Sequence, residues 1–530
     1  MVPAWEEVER AVIDGFFRFA PAHARTVGDH SYDGVVGDVS DTTIKARLEE
    51  IDRQLGNVTG CNRLDPPRDI DRRALQAHLE ASRFELAEQR PAFKDPLYYA
   101  GSGSELDVSS YLKRAYAPIE ERLAGLVRHL QGYPAYLEAA RDNLDRSLPR
   151  PNLEVAIEAI AGQAAFLDGE VRSIVAKHSY IGEQIDAAVS LVREFGSFLR
   201  DRLPWAHDHD PLGAERFQRL LKLRERIDLD VASLQQLIDE DVARNSARAA
   251  ELAQRIAPGE DVAAAVARLE NDHPTREGIL DDVTGMLEGI REFVLQRDIC
   301  SIPAETRCTV KATPAYAAYI TAALDSAGPL EVAARESYYY VTVPAETWGS
   351  ARTEEWLRHL NYSVLVNTSI HEAYPGHYVQ ALHERGASSL TRKVFWVQGT
   401  GEGYAHYCEE MMIEAGFSSD ARLELAQVMD ALLRDCRALV ALGLHCRGMT
   451  IAEAVEVFMR VGFLSELPAT REAKRGAWDP LYLTYTLGKI LIYELRRECE
   501  QLPGYSLKNF HDAFLACGTL PIPLIREQLV

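Results

Sequence analysis

His371-Glu372-Ala373-Tyr374-Pro375-Gly376-His377-Tyr378-Val379-Gln380 is the stretch from which the rest of this 530-residue chain is read. A His-Glu pair followed within two turns by a second His is what a metal-dependent hydrolase needs. Neutral imidazoles hold the ion, and the carboxylate beside the first of them can take a proton from water. The common helical form spaces the two histidines four apart, on one face. Here they are six apart, about 600° of helical rotation, which would leave the rings roughly 120° apart on a regular helix. Pro375 and Gly376 fall between them. Pro375 offers no N–H to the His371 carbonyl and its ring would clash there, whereas Gly376 accepts backbone angles that other residues avoid. The expectation is a bulge that returns His377 to the side of His371, with Glu372 as general base. The plainer reading is a Pro-Gly helix end with two unrelated histidines.

A second stretch, Gly401-Glu402-Gly403-Tyr404-Ala405-His406-Tyr407-Cys408-Glu409, begins 24 residues after His377. Two His and one carboxylate complete a three-ligand set, so Glu402 is expected to be the third ligand. Gly401 and Gly403 leave room for close helix approach, and His406, one turn on, is placed to orient Glu402. Otherwise Glu402 is a solvated residue at a helix start, where a carboxylate suits the macrodipole.

The chain resembles the bacterial domain-of-unknown-function family 885, which looks like a branch of the gluzincin metallopeptidases. The resemblance rests on HEAYPGHYVQ (371–380), on EGYAHYCE (402–409), and on Arg437 to His445 followed by Gly448-Met449-Thr450. Tyr482-Leu483-Thr484-Tyr485-Thr486-Leu487-Gly488-Lys489 and the tail from Phe510-His511 to Gly518-Thr519-Leu520-Pro521 extend it. It covers most of the chain. It implies a mainly α, large helical gluzincin-like architecture, with a small β-sheet beside the active-site helix and a deep groove between two halves. It implies Zn2+ on His371, His377 and Glu402. Tyr485, in a family-like element, is the candidate donor to a developing oxyanion. Arg437 and His445, close to one helix face, are candidate substrate-binding residues; Arg447 and Arg475 share with Arg437 the fork geometry that clamps a carboxylate. In gluzincins an edge strand can bind an extended substrate by strand addition. The Tyr338–Val343 segment, with Tyr340, is expected in that role.

Composition narrows the function further. A net charge of -22 argues against a nucleic-acid partner. No run approaches eighteen apolar residues, so no membrane span is expected. The beginning, Met1-Val2-Pro3-Ala4-Trp5-Glu6-Glu7, is acidic where an export signal is basic. The eight cysteines are scattered without a C-x-x-C pair, as reduced thiols in a cytoplasm would be.

Along the chain, apolar spacing and breakers predict helices at 5–19, from Asp41 to a stop at Gly56, at 66–90, from Pro118, and at about 152–178, 183–202, 211–225, 228–256, 260–270 and 275–297. Thr26 to Gly34 reads as a loop, with His30 and Asp33 bonding their own surroundings. β-branched and aromatic residues at 308–313 and 337–343 mark strands. Helices follow from Glu354, into His371, and at about 419–446, 451–461 (with a Thr450/Glu453 capping box) and 481–499. Residues 1–300 are thus expected to form a helical scaffold or lid half and 301–530 a catalytic half. The latter holds the sheet (301–350) and the metal-site helices (360–415 and 419–500).

The function these features suggest is zinc-dependent hydrolysis of short peptides, as a carboxypeptidase or dipeptidase would perform. The rivals are a zinc amide hydrolase acting on a non-peptide metabolite, a helical binding protein without catalysis, and an iron oxygenase using two His and one carboxylate. Glu372 beside the first ligand favours hydrolysis.

Overall fold

The computed structural model describes residues 4–101, 103–304, 306–314 and 320–530. It is mainly helical with one three-stranded sheet among the described residues. The chain packs as two compact units. One comprises Met1–Asp210, Ala327–Arg335 and Ser388–Phe395, the other Pro211–Ser326, Glu336–Ala387 and Trp396–Val530. These bounds differ from a cut at residue 300.

The first unit is built on α1 (Trp5–Phe19), α2 (Asp41–Gly60), α3 (Pro66–Phe84), α4 (Ile119–Asn143), α5 (Arg150–Phe166) and α6 (Gly182–Arg200). Trp5, Val8, Val12, Ile13 and Phe17 of α1 share a core with Ile51, Leu75 and Leu79. α2 runs through Gly56 to Gly60, because one glycine inside a helix costs only about 1 kcal/mol against alanine. α3 and α5 each pass into a π-turn, at Glu85–Gln89 and Leu167–Val171. The Ser388–Phe395 segment is held by Glu9, which accepts from the Thr391 N–H at 2.9 Å and its hydroxyl at 2.6 Å. Arg392 and Asp71 add a buried ion pair at 2.6 Å.

In the second unit, α7 (Val231–Ile256) and α8 (Ile279–Gln296) precede the strands β1 (Thr309–Ala312), β2 (Ala322–Asp325) and β3 (Tyr338–Val341). Then come α9 (Tyr362–Glu372), α10 (His377–Glu384), α11 (Gln398–Glu414), α12 (Ala421–Cys446), α13 (Glu466–Trp478) and α14 (Thr484–Cys499). The helices of residues 211–296 group here because their apolar faces are buried here. Phe217, Leu234 and Ile238 share one core with Leu442, Leu444, Tyr482 and Leu487. Asn245 donates to Asp435 at 2.7 Å, and Lys489 pairs with Asp241 at 2.6 Å. The Thr450/Glu453 capping box is present at the head of the helix Ile451–Arg460.

The sheet order is β1-β3-β2, with β1 parallel and β2 antiparallel to β3. This overturns the expected edge strand. β3 is central, both of its main-chain edges are spent on neighbours, and Tyr340 faces Lys311 and Ala323 in register. The edge beside α9 is β2.

Candidate metal centre

α9 is capped by Asn361, whose side chain accepts from the Val364 N–H, and it ends at Glu372. The chain then turns through Ala373–Gly376, with a cis bond between Tyr374 and Pro375, and α10 begins at His377. So the two histidines lie at the end of one helix and the start of the next, in place of the expected bulge within one helix. A Cβ on Gly376 would collide with the His371 carbonyl oxygen. Only glycine allows that close approach, and it leaves the two imidazole centroids 4.8 Å apart.

Glu402 comes from the first turns of α11. Glu225 holds that helix start by accepting from the Gly399 N–H at 3.1 Å. The Glu402 Oε2 lies 3.5 Å from His371 Nε2 and 3.4 Å from His377 Nε2. Each imidazole is oriented from its other side. His371 Nδ1 is 2.7 Å from Glu409 Oε1, and His377 Nδ1 is 2.9 Å from Gln380 Oε1. Gln380 in turn gives its amide N–H to the Thr400 carbonyl, which fixes its oxygen towards His377. Both partners accept, so each Nδ1 donates and each Nε2 turns a lone pair inward when neutral.

His371, His377 and Glu402 could therefore hold a metal ion. Donor atoms around a tetrahedral ion bonded at 2.0–2.1 Å are roughly 3.3–3.4 Å apart, and the observed separations from Glu402 fit that spacing. The charges agree with the geometry. Burial opposes the cationic form of His371, but its bonds to Glu402 and Glu409 carry it up to about 9. His377 is likewise raised against burial, mainly by Glu402. Burial also opposes the Glu402 carboxylate, yet the two histidines hold it well below the usual range. The cluster is built to keep positive charge between these three groups.

Glu372 points to the sheet. Its Oε2 accepts from the Leu324 N–H of β2 at 2.9 Å. Tyr485 approaches from α14, which crosses α11 where Gly403 meets Gly488 with no room for a Cβ on either. Tyr485 is buried, in one core with Leu442 and Leu487. Arg434, Arg437 and Arg475 surround its ring at 5.9, 5.0 and 5.8 Å. Burial and then Glu402 push its ionisation up to about 12, so it stays a hydrogen-bond donor.

A family model described as "bacterial protein of unknown function (DUF885)" matches residues 21–529. The chain belongs to this family. Two solved structures share the fold of this DUF885 chain. One is described as a "putative lipoprotein of unknown function" from Shewanella oneidensis, with a TM-score of 0.81 and 23% identity over 99% of each chain. The other is a "putative lipoprotein" from Colwellia psychrerythraea, with a TM-score of 0.84 and 16% identity over 100% of this chain and 99% of that one. No curated protein matches.

Within the DUF885 chain the remaining candidates fall elsewhere. Arg437 spends its fork on Glu472, through two bonds of 2.8 Å, so it cannot also clamp a substrate carboxylate. His445 is buried, with Nε2 2.8 Å from the Gly476 carbonyl and its ring stacked on Phe217; it is a packing residue. His406 does not reach Glu402. It is fully buried, with Nδ1 3.5 Å from Glu409, the carboxylate that also supports His371. Gly401 faces the Trp396 indole and no helix, unlike Gly403.

The supporting residues that spacing did not assign are Glu409, Gln380, Arg434 and the Leu324 amide. Arg434 lies 2.9 Å from Glu409, and Asn367 donates to the same carboxylate at 3.0 Å. Glu409 and Gln380 each close one of the two quoted motifs, and that position was the available signal.

Proposed function

We propose that this chain is a zinc-dependent hydrolase of gluzincin-like architecture that cleaves short peptides. The observation that carries the reading is the inward convergence of His371 Nε2, His377 Nε2 and Glu402 Oε2, with Glu372 adjoining the first ligand in sequence. When bound there, Zn2+ supplies a Lewis acid and makes a water acidic enough to ionise near neutrality. Glu372, steadied by the Leu324 N–H, takes the proton of the attacking water and returns it to the leaving amine. Tyr485 gives its O–H to the oxyanion. The neighbouring arginines favour negative charge at that point. Glu409 and Gln380 keep the imidazoles in the tautomer that faces inward.

Main-chain recognition of an extended substrate would fall to the edge of β2 that faces away from β3, beside Glu372. A non-peptide amide fits the same chemistry, and the substrate pool decides between them. A nucleic-acid partner stays outside the proposal because of the charge of -22. Among the described residues no helix is long and apolar enough to cross a membrane. For the compartment we propose the cytoplasm, on eight cysteines none of which is in a disulfide; recovery in the membrane fraction of cells would overturn this.

The test is metal content of wild type and Glu372→Gln, each incubated with a pooled library of short peptides and read by mass spectrometry. Both are expected to hold one zinc, while only the wild type cuts, with a rate difference on the order of 10²–10⁴. Tyr485→Phe should lower kcat by roughly 10²–10³ with little change in KM. Zinc without peptide cleavage would transfer the reading to a metabolite amide, and a wild type that holds no metal would end it.

A further inference from the structure

Trp396 stands beside this centre with 49% of its surface exposed. Tryptophan is among the largest apolar side chains and is highly buried on average, so a half-open indole at a reactive site needs a reason. Its position is fixed from two sides. The indole centroid lies 6.1 Å from the His377 imidazole, tilted by 54°. The benzo edge lies over Gly401, where a Cβ would run into the indole carbons Cζ2 and Cη2. The glycine before Glu402 thus makes room for this ring, and Trp396 abuts two successive pieces of the metal centre, His377 and the start of α11. An aromatic face held rigidly in water offers a large contact area to a ligand at small entropic cost. Pockets that orient a substrate pair such apolar walls with a few polar groups, and the polar group that this indole adjoins is His377.

We propose that Trp396 is the wall of an apolar subsite, and that the substrate carries an aromatic or large aliphatic side chain on the residue next to the cleaved amide. This rests on the metallohydrolase reading above. The indole does not take part in bond making; it sets which side chain is accepted.

The experiment titrates zinc-loaded wild type, Trp396→Phe and Trp396→Ala with phenylalanine hydroxamate and glycine hydroxamate by calorimetry. The two compounds share their chelating group and differ only in the side chain. Wild type is expected to bind the phenylalanine compound about tenfold or more tightly, within the range that apolar pockets reach. Trp396→Phe should keep most of that ratio. Trp396→Ala should bring it near one while zinc content and glycine hydroxamate affinity stay within about twofold. An equal affinity of wild type for the two compounds overturns the proposal whatever the variants do, as does an unchanged ratio in a zinc-loaded Trp396→Ala. The same proteins are then given the peptide pool. A Trp396-dependent ratio without peptide cleavage keeps the subsite and ends the peptidase reading. Cleavage with no such ratio does the reverse.

Discussion

Each unit contains a histidine set between carboxylates, and the two differ in what is left over. In the first unit, His30 Nε2 is 2.7 Å from Glu331 and its Nδ1 is 3.4 Å from Asp33. Its ring stacks on Tyr116 at 3.4 Å, and the Tyr116 O–H donates to Asp33 at 2.6 Å. Every polar atom of that imidazole is turned to the chain itself. In the second unit, His371 and His377 each give one nitrogen to a supporting acceptor and turn the other towards Glu402. The residue types are nearly the same. The candidate metal centre differs from the structural polar cluster in having donor atoms that converge on one another.

The largest effect expected from this contrast is on metal content. His371→Ala should abolish stoichiometric metal, a loss exceeding the roughly 10–100-fold that a supporting partner is worth, while His30→Ala should keep the full complement. Elemental analysis of the two purified variants checks it, and equal metal in both would erase the distinction. A smaller effect separates ligand from support. Glu409→Gln keeps the shape that meets His371 but removes the charge, and should weaken metal binding by roughly 10–100-fold in competition with a chelator. Because Arg434 would lose its close partner at 2.9 Å, circular dichroism of the variant must match wild type for that comparison. An unchanged affinity would make Glu409 simply the core counter-ion of Arg434.

The convergence was legible in the sequence because both motifs carry it locally. A His-Glu-containing run broken by Pro-Gly and a Glu flanked by glycines sufficed to name His371, His377 and Glu402. What escaped was set by distant partners. β2, Ala322-Ala323-Leu324-Asp325, is made largely of residues with little strand preference, and it is a strand because β3 pairs with it. The aromatic run at 338–341 signalled a strand but not its place in the sheet, since β-preference measures packing on both sides. Amphipathic helices between 211 and 296 look alike whichever core they join, so the strand-forming residues from 308 onward suggested a boundary at 300 where the packing has none. Helical spacing put Arg437 and His445 near one face, yet their fates were decided by Glu472 and the Gly476 carbonyl on α13.

The smallest effect concerns the finished cluster, where function gives way to stability. Burial opposes the charged form of His30, but Asp33 and Glu331 raise its ionisation above the ordinary value of 6.5. Glu331 is lowered below 4.5 against its own burial, with His30 the leading favourable partner. A raised histidine contributes stability that is full below its unfolded value and fades as pH rises through the folded one. A lowered carboxyl contributes above its unfolded value and loses that as pH falls through the folded one. The pair is therefore worth most between about 4.5 and 6.5, and the His30 part disappears on the alkaline side. His30→Gln should lower Tm in that window by an amount corresponding to no more than about 1 kcal/mol, and the gap from wild type should narrow steadily by pH 9. Metal content should not change at any of these pH values. A gap that widens with pH would mean that His30 is held neutral, and a loss of metal would mean that the cluster serves the centre after all.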